Sequence, residues 1–170
     1  MKNGLIKSFD DGGIYDAYGI DVSERDFGLT VKLLDKSVID VNHIRLSAFA
    51  DVVDISASSL VEVSEDVSFA GGDDALLVKG LGRFGSLDLG SGDDYVEQLG
   101  HLTVFGDLSL GSGDDRMITN GVLFVDGFLD GGEGDDVVGF FSLSPLLKNF
   151  PAAKIKNVER TVQLKGSWAY

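Results

Sequence analysis

The chain has 170 residues, 44% of them hydrophobic, with two prolines, no cysteine and a formal net charge of −14. That length and apolar content suit one domain with a real core rather than a disordered segment. The missing cysteines exclude a disulfide scaffold and any thiolate metal site, and the acidic balance repels nucleic acid and anionic membranes while attracting cations.

The charge is uneven along the chain. Residues 1–140 hold 27 acids and 9 bases, net −18, whereas residues 141–170 hold one acid and five bases, net +4. No stretch approaches the roughly 18 apolar residues of a membrane span, so membrane insertion is not expected. The amino terminus, Met1-Lys2-Asn3-Gly4-Leu5-Ile6-Lys7, lacks the apolar core of a signal peptide. Three expectations follow: export by a route that needs none, retention inside the cell, or origin as a piece of a longer chain.

In chain order, residues 1–34 read as an amino-terminal cap over the open edge of a repeat stack. Within them Ser8-Phe9-Asp10-Asp11-Gly12-Gly13 is a turn and Leu29-Thr30-Val31-Lys32-Leu33 alternates like a strand. From 35 to 70 a degraded repeat begins: Ile44-Arg45-Leu46 precedes Asp51 by the interval at which Val67-Ser68-Phe69 precedes Asp74. Corner glycines are missing there, so a site built on them should weaken toward that end.

From about 67 to 140 the repeat is regular. Gly72-Asp73-Asp74, Gly92-Asp93-Asp94, Gly113-Asp114-Asp115 and Gly134-Asp135-Asp136 recur at steps of 20, 21 and 21 residues. Gly85, Gly106 and Gly127 fall in register, as do Leu87, Leu108 and Leu129, and Leu102-Thr103-Val104 matches Leu123-Phe124-Val125. Each unit therefore holds three short period-two runs separated by Gly or Asp corners. A unit of this length cannot bury its own apolar face and must stack on its neighbour. The expected fold is all-β: a right-handed parallel β-helix, or β-solenoid, of about 21-residue coils, with right-handedness taken from the general preference of parallel crossovers. Two irregular turns should precede three or four regular ones, with Leu87, Leu108 and Leu129 in one inward column and Val104 and Val125 in another.

Beyond Phe140 the pattern stops. Residues 141–150 suit a short helix or an irregular plug, and residues 155–164 alternate again as a closing strand pair, so 141–170 read as a basic carboxy-terminal cap.

Stacking the Gly-Asp-Asp corners sets like charges about 4.8 Å apart, at a cost of about 1 kcal/mol per adjacent pair even in water. Two kinds of relief are open. One aspartate of each pair can fold back on local N–H groups as an Asx turn. Alternatively, calcium sits between turns, held by carboxylates of one coil, drawn from Asp74, Asp94, Asp115, Asp136, Asp93, Asp114 and Asp135, and by carbonyls or carboxylates of the next.

Two resemblances bear on this choice. Gly131-Gly132-Glu133-Gly134-Asp135-Asp136-Val137-Val138-Gly139 resembles the repeats-in-toxin nonapeptide in full, and the copies at 89–97 and 110–118 differ from it by leucine at the first glycine. That resemblance implies a calcium-binding secretion module with Asp74, Asp94, Asp115 and Asp136 as ligands, although here one nonapeptide stands in each unit instead of a tandem pair. The whole unit, with Asn157-Val158-Glu159 and Gly166-Ser167-Trp168 near the end, is similar to the passenger β-helix of bacterial autotransporters. That similarity implies a non-enzymatic scaffold or adhesin, secreted or on the bacterial cell surface, monomeric or part of a larger chain, with a host-surface, matrix or glycan ligand.

Gly80-Leu81-Gly82-Arg83-Phe84-Gly85 spells a dinucleotide fingerprint, but Ser86-Leu87-Asp88-Leu89 continues it as strand instead of opening a helix. His43 and His101 are isolated from any recognisable nucleophile, so no catalytic residue is assigned. A glycan-acting β-helix enzyme is the remaining alternative.

Overall fold

Alternating apolar residues cut by frequent corners are buried by laying each unit directly on the one before it. The computed structural model describes residues 14–17, 20–21, 28–33, 36–141 and 154–164. They form a parallel β-solenoid of about six turns.

The turns succeed one another in chain order. The first holds β1 (Ile14–Ala17), β2 (Ile20–Asp21) and β3 (Thr30–Leu33), and the second β4 (Val38–Val41), β5 (Ile44–Arg45) and β6 (Val52–Ile55). The third and fourth run straight through one corner, as β7 (Leu60–Ser68) with β8 (Ala75–Val78), and β9 (Leu81–Asp88) with β10 (Tyr95–Gln98). The fifth holds β11 (His101–Val104), β12 (Leu108–Ser112) and β13 (Arg116–Thr119), and the sixth β14 (Val122–Val125), β15 (Leu129–Glu133) and β16 (Val137–Phe141). Two further strands, β17 (Ile155–Lys156) and β18 (Arg160–Leu164), start another.

Every pairing among these strands is parallel, and each strand bonds to its counterpart one turn away. One face is the seven-stranded sheet β3-β6-β8-β10-β13-β16-β18, and the remaining strands form an eleven-stranded sheet. The register matches the repeat read from the sequence. Leu87, Leu108 and Leu129 are Cα partners in succession, and Val104 pairs with Val125. All five side chains are buried, with Val61, Phe84, Val96, Leu102 and Met117 among the others that fill the interior.

Two expectations change in detail. Residues 14–33, assigned to the amino-terminal cap, already contribute three strands in register with the second turn. The closing strands β17 and β18 do not pair with each other: β17 continues the column of β15, and β18 that of β16. A strand laid on a parallel stack finds its donors one turn back, and that outweighs local hairpin pairing here. The turn at Ser8–Gly13, the segment 142–150 and Trp168 lie outside the described residues.

The dinucleotide-like glycines run as strand through β9. Gly82 faces the interior, where an added Cβ would lie 3.1 Å from the Phe84 ring and 3.2 Å from Leu102. A methyl there would press on both side chains, so a packing reason replaces the cofactor motif. Two polar side chains, Gln98 and Thr119, are also fully buried. Thr119 Oγ1 donates to Gln98 Oε1, and Gln98 Nε2 donates to the carbonyls of Gly100 and Val122, so this pair is internally satisfied.

Candidate functional site

The Gly-Asp-Asp corners lie between the second and third runs of each turn, and the turn-to-turn register stacks them. The tight stack depends on glycine: Gly92, Gly113 and Gly134 have φ of 130°, 134° and 145°. An added Cβ on Gly113 would lie 2.1 Å from the Gly92 carbonyl oxygen. Positive φ without steric cost and a backbone this close are both available only to glycine.

With the glycines in place, the two aspartates of each corner diverge. The second, Asp74, Asp94, Asp115 or Asp136, turns inward and is almost wholly buried. The first, Asp73, Asp93, Asp114 or Asp135, stays toward solvent.

Both sets bond across turns, and they do so in opposite directions. In the inner column, each backbone N–H donates to the carboxylate of the following turn. Asp51 N donates to Asp74 Oδ1 at 2.6 Å, Asp74 N to Asp94 Oδ1 at 2.7 Å, Asp94 N to Asp115 Oδ1 at 2.8 Å and Asp115 N to Asp136 Oδ1 at 2.9 Å. Glu159 closes the column by accepting from Asp136 N at 2.8 Å. In the outer column the donation runs back to the preceding turn: Asp93 N to Asp73, Asp114 N to Asp93 and Asp135 N to Asp114, at 3.1, 2.9 and 3.0 Å. Charge-assisted bonds to backbone N–H thus offset part of the repulsion in both columns. The local Asx turn, one of the two kinds of relief open from the sequence, is not how these aspartates are held: the donors they use belong to the adjacent turn.

The inner column is left half satisfied. Oδ1 of each carboxylate has its donor, whereas Oδ2 of Asp74, Asp94, Asp115 and Asp136 is buried with no hydrogen-bond partner. Burial is the main force on their titration, opposed by the N–H bond and reinforced by neighbouring carboxylates. It pushes Asp94 up to about 8, Asp74 to about 7 and Asp115 to about 6, and raises Asp136 as well. A buried oxygen without a partner is costly, and these four are stacked in one line.

The residues suit a hard cation in kind: their donors are oxygens, they become anionic on losing their protons, and each regular corner has one unused carboxylate oxygen. Among the described residues no three acidic or histidine side chains converge on one point, so side chains alone do not make a complete ligand shell, and backbone oxygens would have to complete it.

All seven aspartates singled out by the repeat fall in these two columns, Asp74, Asp94, Asp115 and Asp136 inside and Asp93, Asp114 and Asp135 outside. Sequence reasoning missed the two ends. Asp51 had been aligned with Asp74, but not its partner Ser47. The signal for Glu159 was only that it is the one acid followed by a strand after the repeat ends. Comparison of the chain with family models, curated proteins and solved structures returns no match.

Proposed function

We propose that this chain is a non-enzymatic β-solenoid module, a scaffold or adhesive stalk of a bacterial secreted or cell-surface protein, whose rigid flank meets a host-surface, matrix or glycan ligand. The observation that carries this reading is the parallel pairing of each turn with the next, from β1 to β18, around a mostly apolar interior. Such a stack is stabilised by every neighbouring interface and keeps long surfaces in fixed register. The test is solid-phase binding of the purified chain to matrix proteins and glycans, run beside an assay for polysaccharide breakdown. Saturable binding without breakdown is the expected result. Breakdown abolished by changing one aspartate alone would replace this reading with that of a glycan-acting enzyme.

A second reading, a calcium-binding secretion module of the repeats-in-toxin kind, is favoured by the four partnerless inner oxygens. In that reading calcium sits along the inner column and metal binding contributes to folding. Melting in chelator and in excess calcium chloride separates the two. A calcium-dependent rise of about 10 °C or more supports the second, and an unchanged Tm leaves the first.

A further inference from the structure

The inner column has six carboxylates but only four partnerless oxygens. Asp51 occupies the same position as Asp74 and takes a donor from the preceding turn in the same way, here the N–H of Leu29. Its second oxygen differs. Asp51 Oδ2 accepts the backbone N–H of Ser47 at 2.8 Å and lies 3.0 Å from the Ser47 hydroxyl, which also lies 3.1 Å from Oδ1. Ser47 and Asp51 are both fully buried.

Four residues before the other inner aspartates stand Ala70, Gly90, Gly111 and Gly132, none with a hydroxyl. All four lie at positive φ, as Ser47 does not. The corner of Asp51 therefore supplies from its own turn the donors that the regular corners lack. An oxygen already receiving an N–H, with a hydroxyl against it, presents protons where a cation would have to approach.

We infer that Ser47 is the end-stop of the cation column: by filling the second oxygen of Asp51 it excludes calcium from that corner and confines it to the corners of Asp74, Asp94, Asp115 and Asp136. This rests on the calcium reading above and adds to it the residue that sets where the column ends. The assignment is chemical: a hard divalent cation is taken only where a buried carboxylate oxygen lacks a proton donor.

The experiment is calcium uptake by the full chain, measured by equilibrium dialysis against calcium chloride alone, with far-UV circular dichroism confirming the fold of each variant. Ser47→Pro removes both the backbone N–H and the hydroxyl that face Asp51 Oδ2 and is expected to bind one equivalent more than the unaltered chain. Asp51→Asn is expected to bind as many equivalents as the unaltered chain, and this variant carries the test if Ser47→Pro does not fold. Asp94→Asn is expected to lose uptake. Equal uptake by the folded Ser47→Pro variant and the unaltered chain, or an equivalent lost in Asp51→Asn, overturns the end-stop and leaves the calcium reading standing. No uptake by the unaltered chain overturns the calcium reading, and the end-stop with it.

Discussion

The corners at Asp51 and Asp94 hold the same place in the coil and reach different solutions. At Asp51 a serine, an alanine pair and Phe49 make a corner whose carboxylate takes one donor from the preceding turn and fills its second oxygen locally, and Phe49 stands half exposed where the regular corners have glycine. At Asp94 glycines bring the backbones together, the carboxylate receives one donor from the preceding turn, and the other oxygen is left bare. Both corners bond to their neighbours, but the irregular one satisfies its second carboxylate oxygen by itself, whereas the regular one is tighter and leaves that oxygen to whatever neutralises its charge. Regularity here gives a repeatable stack at the cost of an electrostatic deficit in each turn.

The sharpest way to break that contrast is to add one carbon at the same corner position. Gly113→Ala forces a Cβ against the Gly92 carbonyl at a φ of 134° and is expected to destabilise by about 3 kcal/mol or more. Phe49→Ala, at the equivalent place in the irregular turn, removes a half-exposed ring and should cost less than about 1 kcal/mol. Urea unfolding midpoints of the two variants measure the gap, and equal costs would mean that the glycine stack is not what closes the regular corners.

Next in size is the response to pH. The carboxyls of Asp74, Asp94 and Asp115 sit at about 7, 8 and 6 in the folded chain, above the ordinary value of 3.8. Between the ordinary and the raised values the folded state holds more protons than the unfolded one, so stability falls as pH rises. Their contribution is fully present below about pH 4 and is lost progressively through pH 6 to 8. In chelator, stability is expected to fall from pH 5 to pH 8, read as a lower Tm at the higher pH. Asp94→Asn should flatten that slope and raise stability at pH 8 in chelator by about 1–2 kcal/mol, seen as a higher Tm, because an amide cannot be charged and still accepts the Asp74 N–H. In calcium the sign should reverse, since the same change removes an anionic ligand. A variant that shifts Tm in the same direction in both buffers would separate the bare oxygens from any cation.

Much of this was legible from spacing alone. Nearly constant steps of 20, 21 and 21 residues fix which residues become vertical neighbours, so the leucine columns, the parallel pairing and the membership of both aspartate columns could be read directly. The direction in which each carboxylate leans could not. The Asp93 carboxylate accepts from the following turn and the Asp94 carboxylate from the preceding one, though the two residues are adjacent, and spacing along the chain carries no sign of that difference. Ser47 was hidden for a related reason: it replaces a backbone geometry, not a residue type, and a serine four places before an aspartate carries no period of its own. Gln98 and Thr119 were similarly masked, each occupying one place in an otherwise apolar column. The closing strands misled because alternation shows that a strand exists without showing its partner.

The smallest expected effects lie at the carboxy-terminal ends of the two columns, where Glu159 and Arg160 are adjacent. Arg160 ends the outer column with two contacts to Asp135, Nε to Oδ1 at 3.1 Å and Nη2 to Oδ2 at 2.9 Å, but the two side chains are 58% and 59% exposed. Water and salt screen a pair that open, so Arg160→Ala should cost below about 0.5 kcal/mol. Glu159→Ala removes the acceptor of the Asp136 N–H in a partly buried bond and should cost about 1–2 kcal/mol. The order of these two small numbers in urea melts tests whether burial, more than charge pairing, sets what each column contributes. If Arg160→Ala proved the costlier change, the outer column would be holding the stack together and the inner one would not.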